Sequence, residues 1–436
     1  MTAIALTIII VAGILVISLP RQHALKPLIS GITLIPMGSV IYIGPANFHP
    51  MRILVLFGML RAILRGEKIN GKLNSIDKCV LLWSIIMLIT GALQPKLDTT
   101  FITRLGEVYD ALGLYFIMRF LIKEEKDIHS IIKTLSVVFA VIMVFMVYER
   151  LKCFNLFSLL GGIGSFPANR DGKIRCQGPF AHSILTGTVA ATSIALFILS
   201  FKNLKIGKKF SYTGILASTT IVFLTSSSGP LMSLMFSIIG LFFWHLRNNM
   251  KTLLYCLLGT LVALQIVMES PIWFLIAKID LTGSSTGYHR SALIDSAIRH
   301  FNEWWFIGTT YTRHWMPTGV SWSQYHTDIT NQYIKNGIAG GLGAMLLFVF
   351  MIVNGFVILG RALCNLPDSE VTSKLLIWSL GVSLFSHSVT FLSVRYFDQS
   401  MMYFYLTIAM IGCVDYIHSS RKTLSIESKA KESSKI

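Results

Sequence analysis

A histidine and a carboxylate stand directly before an apolar segment in the last third of the chain. His326 and Asp328 belong to the polar stretch YHTDITNQYIKNGIAGG, whose glycines open a predicted membrane span. Histidine is the side chain best suited to accept a proton near neutral pH, and a neighbouring carboxylate can orient its ring. The pattern therefore predicts His326 as a general base. Asp328 is either its orienting partner or a helix cap.

Two upstream stretches place arginines beside predicted helix starts. Arg175 precedes the turn in IRCQGPFAHS, and His182 follows this turn at the mouth of the next helix. Arg290 begins the amphipathic segment RSALIDSAIRHFNEWW, and helix N-termini favour anions. Because guanidinium groups bind phosphate through paired hydrogen bonds, this set fits glycosyl transfer from a lipid diphosphate, with His326 taking the acceptor proton. A surface role for the arginines and a capping role for His182 are the plainer alternatives.

The sequence contains no pattern that indicates a metal or a cofactor. Neither external loop has an Asp-x-Asp motif, no Cys-x-x-Cys occurs, and no serine or cysteine nucleophile pattern surrounds His326. We therefore expect chemistry without a metal and without a cofactor. The six cysteines do not make a disulfide framework in 436 residues. Cys153 and Cys176 share one loop, where an oxidising compartment would let them pair, and this pairing is left open.

The elements that position these residues are predicted to be membrane spans. The chain is 53% hydrophobic and 14% charged, with a mean hydropathy of +0.64, whereas soluble domains carry about 25% charged residues. Its apolar runs are about 17 to 25 residues long, which matches a bilayer core. We therefore predict an all-α, polytopic integral membrane protein with about 12–13 transmembrane helices. The predicted spans are 2–19, 27–44, 51–65, 76–94, 103–122, 128–147, 180–200, 211–226, 229–246, 252–277, 337–360, 373–394 and 398–417. Residues 27–65 form either two crossings or one crossing and a re-entrant piece.

The formal charge of +17 follows the predicted topology. Basic residues concentrate in short loops on one side of successive spans, so this side is assigned to the cytoplasm and no nucleic-acid partner is expected. The first apolar run lacks a basic start and a cleavage site, which favours a retained span over a signal peptide.

Arginines in the two external loops, 149–178 and 278–336, depart from the concentration of basic residues on the cytoplasmic side. Anion binding is one reason for such charges, and a solvated surface is the other.

One membrane-embedded domain is predicted over residues 1–417, followed by a disordered cytoplasmic tail at 418–436. The long extracytoplasmic loop at 278–336 contains the amphipathic helix. Its residues Trp304 and Trp305 are expected at the depth of the lipid headgroups, because tryptophan favours the membrane interface.

Three of these motifs, in this order and topology, resemble the O-antigen ligase and O-antigen polymerase superfamily of polytopic bacterial glycosyltransferases. In that family a histidine precedes a Gly-x-x-Gly by eleven residues, as His326 precedes Gly337. An arginine at a helix start in the long external loop matches Arg290, with Tyr288 beside it as a supporting candidate. The family's Arg-x-x-Gly-x-Phe before a span matches the segment that begins at Arg175.

The resemblance implies a metal-independent glycosyltransferase of the bacterial inner membrane that acts at its extracytoplasmic face. The donor is then a polyprenyl-diphosphate-linked oligosaccharide. The acceptor is a hydroxyl of another glycan, as in polymerases, or of lipid A-core, as in ligases, and membrane lipids are the remaining partners. Arg290 and Arg175 take the role of diphosphate-binding residues and His326 that of general base, with Asp328 and His182 in support.

The chain departs from the family pattern at two positions. Thr327 follows the histidine where the family usually has asparagine, and Ser228 in TSSSG stands where many members have arginine. The second departure leaves one diphosphate-binding position unfilled. Arg175 is the nearest candidate to fill it.

Two other classes of protein are compatible with the sequence. A transporter or flippase for lipid-linked sugars also needs arginines for a diphosphate, but transporters usually have paired repeats, which the sequence does not show. A structural membrane protein would leave the polar residues incidental. Arg104, Glu107 and Asp110 follow helical spacing near the outer end of a span and weigh against that class, because ionisable groups there need a partner or a cavity. A purely structural Arg–Glu pair is the plainer alternative.

Overall fold

The computed structural model describes residues 1–94, 97–201, 205–278, 287–316 and 323–433, without the side chains of residues 97–99 and 418–433. It confirms the predicted helical class, with 74% of residues in helices and 3% in strands. The α-helices are α1 (Ala3–Ser18), α2 (Arg21–Leu34), α3 (Pro50–Arg65), α4 (Ser75–Leu93), α5 (Leu97–Leu121), α6 (Glu125–Lys152), α7 (Ser183–Ser200), α8 (Lys208–Leu224), α9 (Ser228–Phe242), α10 (Met250–Val267), α11 (Leu275–Lys278), α12 (Gly287–Arg299), α13 (Phe301–Trp304), α14 (Gln332–Asn365), α15 (Val371–Thr390) and α16 (Ser400–Ser433).

Short 3₁₀ turns and two hairpins complete the described chain. The hairpins pair β1 (Ile41–Ile43) with β2 (Ala46–Phe48), and β3 (Ala168–Arg170) with β4 (Lys173–Arg175). The 3₁₀ turns are Leu156–Leu160, Phe243–Asn249, Ile272–Phe274 and Arg313–Trp315.

Six helical stretches among the described residues are long and apolar enough to cross a membrane. This count rests on length and composition, so it supports a membrane protein without giving an orientation. Helix α10 also supports a membrane protein. This apolar helix has no buried residue, so without a surrounding bilayer its side chains would be exposed to water. The six stretches are Ser75–Leu93, Glu125–Lys152, Ser183–Ser200, Ser228–Val267, Gln332–Asn365 and Ser400–Ile417.

The predicted span at 27–44 is wrong in its extent. Helix α2 begins earlier, at Arg21, and ends at Leu34, and the residues after it turn into the β1–β2 hairpin. Proline explains the end, because Pro36 disfavours helical geometry at the residue before it. Ile35 accordingly has an extended backbone, with φ −102° and ψ 123°.

The helices that carry the candidate site pack through small residues. Helix α7 lies between α8, α9 and α15, while α14 packs against α4, α15 and α16. A Cβ at Gly187 of α7 would lie 2.7 Å from the Pro230 ring of α9, and one at Gly214 of α8 would lie 2.4 Å from Phe197. These glycines allow the close helix approach that is common in membrane bundles.

The C-terminal helix extends into the tail that was predicted to be disordered. Helix α16 is continuous through Ser433, so no break in the backbone separates the last predicted span from the tail at 418–436. The disorder predicted for this tail stays a prediction, since its side chains lie outside the described part.

Cys153 and Cys176 are free thiols, the first exposed and the second buried.

Candidate functional site

The guanidinium of Arg175 lies at the N-terminal end of helix α9. Arg175 ends strand β4, is 8% exposed, and donates hydrogen bonds from Nε and Nη2 to Ser227 Oγ, at 3.2 and 2.6 Å. Ser227 is the residue before α9, and its own hydroxyl donates to the Thr225 carbonyl at 2.9 Å. Arg175 therefore lies next to Ser228, the position that the sequence analysis identified as lacking an arginine.

The turn after Arg175 is held by a buried carboxylate. Glu149, at the end of α6, is fully buried and accepts the backbone N–H groups of Gln177 and Gly178, each at 3.0 Å. Asn155 Nδ2 donates to the Gly178 carbonyl at 2.8 Å. Gly178 has φ +57°, a left-handed conformation that glycine adopts without strain. The turn fixes the direction in which the chain leaves β4.

His182 caps the helix that follows this turn. Its Nδ1 accepts the backbone N–H of Ile184 at 3.2 Å, at the N-terminus of α7. Burial, and then the Arg175 charge, lower the pKa of His182, while Asp328 opposes that shift. A neutral imidazole suits a cap that accepts a hydrogen bond, so the capping alternative describes the observed contact.

Arg290 reaches the same helix end from the long segment that precedes α14. It lies in the first turn of α12, is 8% exposed, and its Nη2 lies 4.0 Å from the position that a Cβ at Gly229 would occupy. Gly229 is the second residue of α9. Arg290 therefore faces the N-terminus of α9 and not that of its own helix. No hydrogen-bond partner for its buried Nε exists among the described residues.

Positive charge accumulates at this end of α9 without a balancing anion in direct contact among the described residues. Burial, followed by the nearby Arg170, lowers the pKa of both Arg175 and Arg290. The N-terminus of a helix carries a partial positive charge of its own. Arginine stays protonated in proteins, so two buried guanidinium groups beside a helix N-terminus favour the binding of an anion there.

His326 lines a cavity of about 460 Å³. The walls come from α5, from the segments around residues 309–310 and 325–329, from the start of α14, and from the loop between α15 and α16. Four charged side chains share the cavity with the histidine, and only two of them, on α5, were considered from the sequence. The four are Arg104, Glu107, Lys335 and Arg395.

The imidazole of His326 is held by a threonine and not by Asp328. Its Nδ1 lies 3.4 Å from Thr312 Oγ1, and that oxygen also accepts the Thr327 N–H at 3.1 Å. Burial, then the charges of Arg395 and Arg104, lower the pKa of His326. Both effects favour the neutral ring, which is the form that a general base requires.

Asp328 has neither of its two predicted roles. The cap of α14 is Asn331, whose Oδ1 accepts the N–H groups of Tyr333 and Ile334 at 2.9 and 3.0 Å. The Asp328 carbonyl accepts from His289 Nε2 at 3.1 Å. The Asp328 carboxylate instead attracts two cations, Arg290 at the N-terminus of α9 and Arg395 in the cavity beside His326. Its negative charge raises the pKa of both guanidinium groups, against the lowering by burial.

The glycines after His326 break a helix instead of opening it. Helix α14 already begins at Gln332, and non-helical geometry at Gly340 and Gly341 interrupts it. The chain at 305–309 fits into the break: Leu342 N–H donates to the Trp305 carbonyl at 2.7 Å, and Thr309 N–H donates to the Ile338 carbonyl at 2.9 Å. This insertion sets one wall of the cavity.

The amphipathic helix packs on the protein more than was expected. Leu293 and Trp304 are buried with Ile334 and Ile338 of α14, and the Trp304 ring lies against Gly337. Trp304 therefore packs against α14, and its depth relative to the lipid headgroups stays a prediction. Trp305 is 48% exposed.

The third supporting candidate, Tyr288, lies at the surface. Its side chain is 68% exposed, and it is not among the residues that line the cavity beside His326. This position gives no support to a binding role for Tyr288.

Among the described residues, one cluster has the composition of a metal site. His300, Glu303 and His314 place their ligand atoms within 4.8 Å of one another. Although burial opposes it, hydrogen bonds from His314, Trp315 and His300 lower the pKa of Glu303 to about 2. These contacts account for the cluster as a hydrogen-bonded group, and the prediction of no metal stays untested.

Sequence reasoning missed Arg395 and Lys335. Lys335 donates to Glu107 Oε1 at 2.9 Å, while Arg104 donates to Glu107 Oε2 at 3.0 Å. Arg395 lies between two predicted spans, in a loop that the predicted topology places on the side that usually avoids basic residues, so the reasoning applied to Arg175 and Arg290 would have found it.

No model of a known protein family matches this sequence, and no curated protein is significantly similar to it.

Proposed function

We propose that this protein is a membrane glycosyltransferase of the O-antigen ligase or polymerase type. It moves a glycan from a polyprenyl diphosphate to an acceptor hydroxyl at the extracytoplasmic face of the bacterial inner membrane. The observation that carries the proposal is the pair of buried arginines at the N-terminus of α9, of which Arg290 has an unsatisfied Nε within the described chain. The family resemblance of the motifs gives the class of donor and the location.

The arginine pair suits a leaving diphosphate. Arg175 is fixed on Ser227, and Arg290 approaches the same helix end from a separate loop, so an anion between them contacts two guanidinium groups and the free N–H groups of α9. The two guanidinium groups and the N–H groups of α9 act most strongly on the negative charge that grows on the diphosphate as its bond to the sugar breaks. Transition-state stabilisation of this kind is a large part of enzymatic rate enhancement.

His326 supplies the base for the acceptor. In the tautomer where Nδ1–H donates to Thr312 Oγ1, the Nε2 lone pair is available to the cavity. The acceptor hydroxyl gives its proton to Nε2, and its oxygen forms a bond to the anomeric carbon of the donor. The bond from that carbon to the diphosphate oxygen breaks, and the electron pair leaves with the diphosphate. The step requires no metal.

Asp328 connects the two regions electrostatically. Its carboxylate acts on Arg290 and His182 on one side and on Arg395 on the other. A negative charge there partly balances the arginines while the donor is absent. This shared neighbour supports treating the α9 end and the cavity as one site.

Reconstitution tests the proposal. The purified protein is mixed with a polyprenyl-diphosphate glycan and a second glycan as acceptor, and product and released polyprenyl diphosphate are both measured. His326→Ala should lower transfer at least about 100-fold, while His245→Ala, at an exposed histidine far along the chain, serves as the matched control. Arg290→Lys should also lower transfer, because a bidentate fork becomes a point charge. Arg299→Lys, at an exposed arginine, is its control.

The outcomes separate this function from its main alternative. Near-normal transfer by His326→Ala removes the base role. If no acceptor is glycosylated while vesicles containing the protein move the lipid-linked sugar across the bilayer, the protein is a flippase.

A further inference from the structure

The cavity beside His326 holds more positive charge than the proposed chemistry needs. Three cationic side chains and one carboxylate line this cavity, and Asp328, which is not a lining residue, balances Arg395 only in part. Buried and half-buried charges are costly when no partner balances them. The four side chains are Arg104, Lys335, Arg395 and Glu107.

The one carboxylate is already occupied. Glu107 uses Oε2 for Arg104 and Oε1 for Lys335, at 3.0 and 2.9 Å. Arg395 has no hydrogen bond and no ion pair to any described residue, and its Nε is buried without a partner. The Nε of Arg104 is buried and unpartnered among the described residues as well. Two guanidinium groups therefore keep donors free at a cavity wall.

Arg395 is held in place by its backbone. The Tyr396 N–H donates to Gln332 Oε1 at 3.0 Å, and the Gln332 N–H donates to the Phe391 carbonyl at 2.8 Å. These bonds join the loop between α15 and α16 to the start of α14. Arg395 thus projects from a fixed loop, as expected of a group that binds a ligand without reorganisation.

We propose that this cavity binds the acceptor glycan through an acidic group, a carboxylate or a phosphate, held by Arg395 and Arg104. The inference rests on the proposed function and names the class of acceptor. The base must touch the hydroxyl that it deprotonates, so the cavity that His326 lines receives the acceptor. The diphosphate of the donor has its own pair of arginines at the α9 end.

The dimensions and the remaining walls agree with a sugar. A volume of about 460 Å³ lies within the range of about 300–1,000 Å³ of small-molecule sites. Thr309 and Thr310 offer hydroxyl groups, while Ile329 and Ile338 supply apolar surface. Guanidinium groups bind both carboxylates and phosphates through paired hydrogen bonds, so the two acidic groups share one recognition chemistry.

The test compares matched acceptors in the reconstituted assay, with each variant assayed on the plateau of its own pH–rate profile. The acceptors are a disaccharide with a terminal uronic acid, the same disaccharide reduced to the neutral alcohol, and its phosphorylated counterpart. Arg395→Gln should raise KM for the acidic acceptors by roughly 10- to 100-fold, as expected for lost charged hydrogen bonds. It should leave KM for the neutral acceptor within about 2-fold.

Two further variants complete the design. Arg395→Lys keeps the charge and should recover part of the preference, whereas Arg299→Gln removes an exposed arginine that already pairs with Asp295 and should change neither KM. The ratio between the uronic acid and the phosphate acceptor identifies which acid the cavity takes.

The results keep the inference apart from the proposed function. Transfer with equal KM for acidic and neutral acceptors, or an Arg395→Gln effect equal on both, overturns the acidic acceptor and leaves the transferase intact. Absence of transfer to every acceptor overturns the proposed function. Titration of the purified protein with the uronic acid disaccharide alone then shows whether the cavity still binds an acid, and Arg395→Gln should abolish that binding.

Discussion

The position of Arg175 depends on one hydroxyl, which makes Ser227→Ala an informative substitution. Ser227 Oγ accepts two hydrogen bonds from the guanidinium, at 3.2 and 2.6 Å, and donates one to the Thr225 carbonyl. Alanine leaves two buried guanidinium donors without this acceptor. The backbone and the charge of Arg175 remain, so the substitution tests the placement of the arginine and not its presence.

The magnitude follows from the two hydrogen bonds that alanine removes from the guanidinium. Hydrogen bonds to charged groups contribute about 1.5–3 kcal/mol each, and relaxation of the freed arginine recovers part of the two. If the net loss of transition-state stabilisation is close to the contribution of one such hydrogen bond, kcat/KM for the donor falls by about 10- to 150-fold. The assay is transfer at subsaturating polyprenyl-diphosphate glycan, with size-exclusion chromatography and the Tm in detergent as checks of folding.

Ser228→Ala is the matched control. Ser228 is the next residue, is half-buried, and its hydroxyl makes no hydrogen bond within the described chain. It should keep kcat/KM within about 2-fold of the parent. In an Arg175→Gln background the Ser227→Ala effect should disappear, because both changes remove one interaction. Equal activity of Ser227→Ala and Ser228→Ala, or full additivity with Arg175→Gln, refutes the positioning role.

Three other predictions concern the cavity, the helix break and the core. Arg395→Gln removes a cation that disfavours the imidazolium, so the pKa of His326 rises and the acid limb of the pH–rate profile moves to higher pH; an unchanged limb contradicts the electrostatic coupling. Gly341→Ala should lower stability by about 1–3 kcal/mol, because φ is +74° and the new Cβ would lie 2.2 Å from the Phe306 carbonyl oxygen. Gly343→Ala, whose Cβ meets its nearest neighbour at 3.4 Å, is the control in the same thermal unfolding series. Arg119→Met leaves a buried carboxylate of α4 unpaired and should lower stability by about 3–5 kcal/mol; a Tm equal to the parent's speaks against that ion pair.

Much of the fold could be predicted because bilayer-length apolar runs are local features of the sequence. The predicted span boundaries mostly fall within a few residues of the observed helices, as for 76–94 and Ser75–Leu93. The error at 27–44 came from weighing hydropathy above Pro36, which ends α2 through the conformation of Ile35. Hydropathy alone does not distinguish a helix from an apolar hairpin.

The site could be predicted in part. Residue chemistry selected His326, Arg175 and Arg290. His326 lines a cavity with four charged side chains, and the two arginines each lie at the N-terminus of α9. Arg395 could have been singled out as a basic residue between two spans, but its proximity to His326, like that of Thr312, was not predictable, because folding of separate loops brings them together. Asp328, two residues from the histidine, was the natural local choice and does not hold the ring.

The sequence by itself determined the helical class, the approximate helix bounds and the residue types able to bind a diphosphate and accept a proton, since these depend on composition and short-range spacing. Tertiary structure alone decided that Arg175 and Arg290, far apart in the chain, converge on the N-terminus of α9. It also decided that the segment after Trp304 enters the break at Gly341. These arrangements arise from backbone hydrogen bonds and side-chain contacts between distant segments, and no periodicity within either segment encodes them.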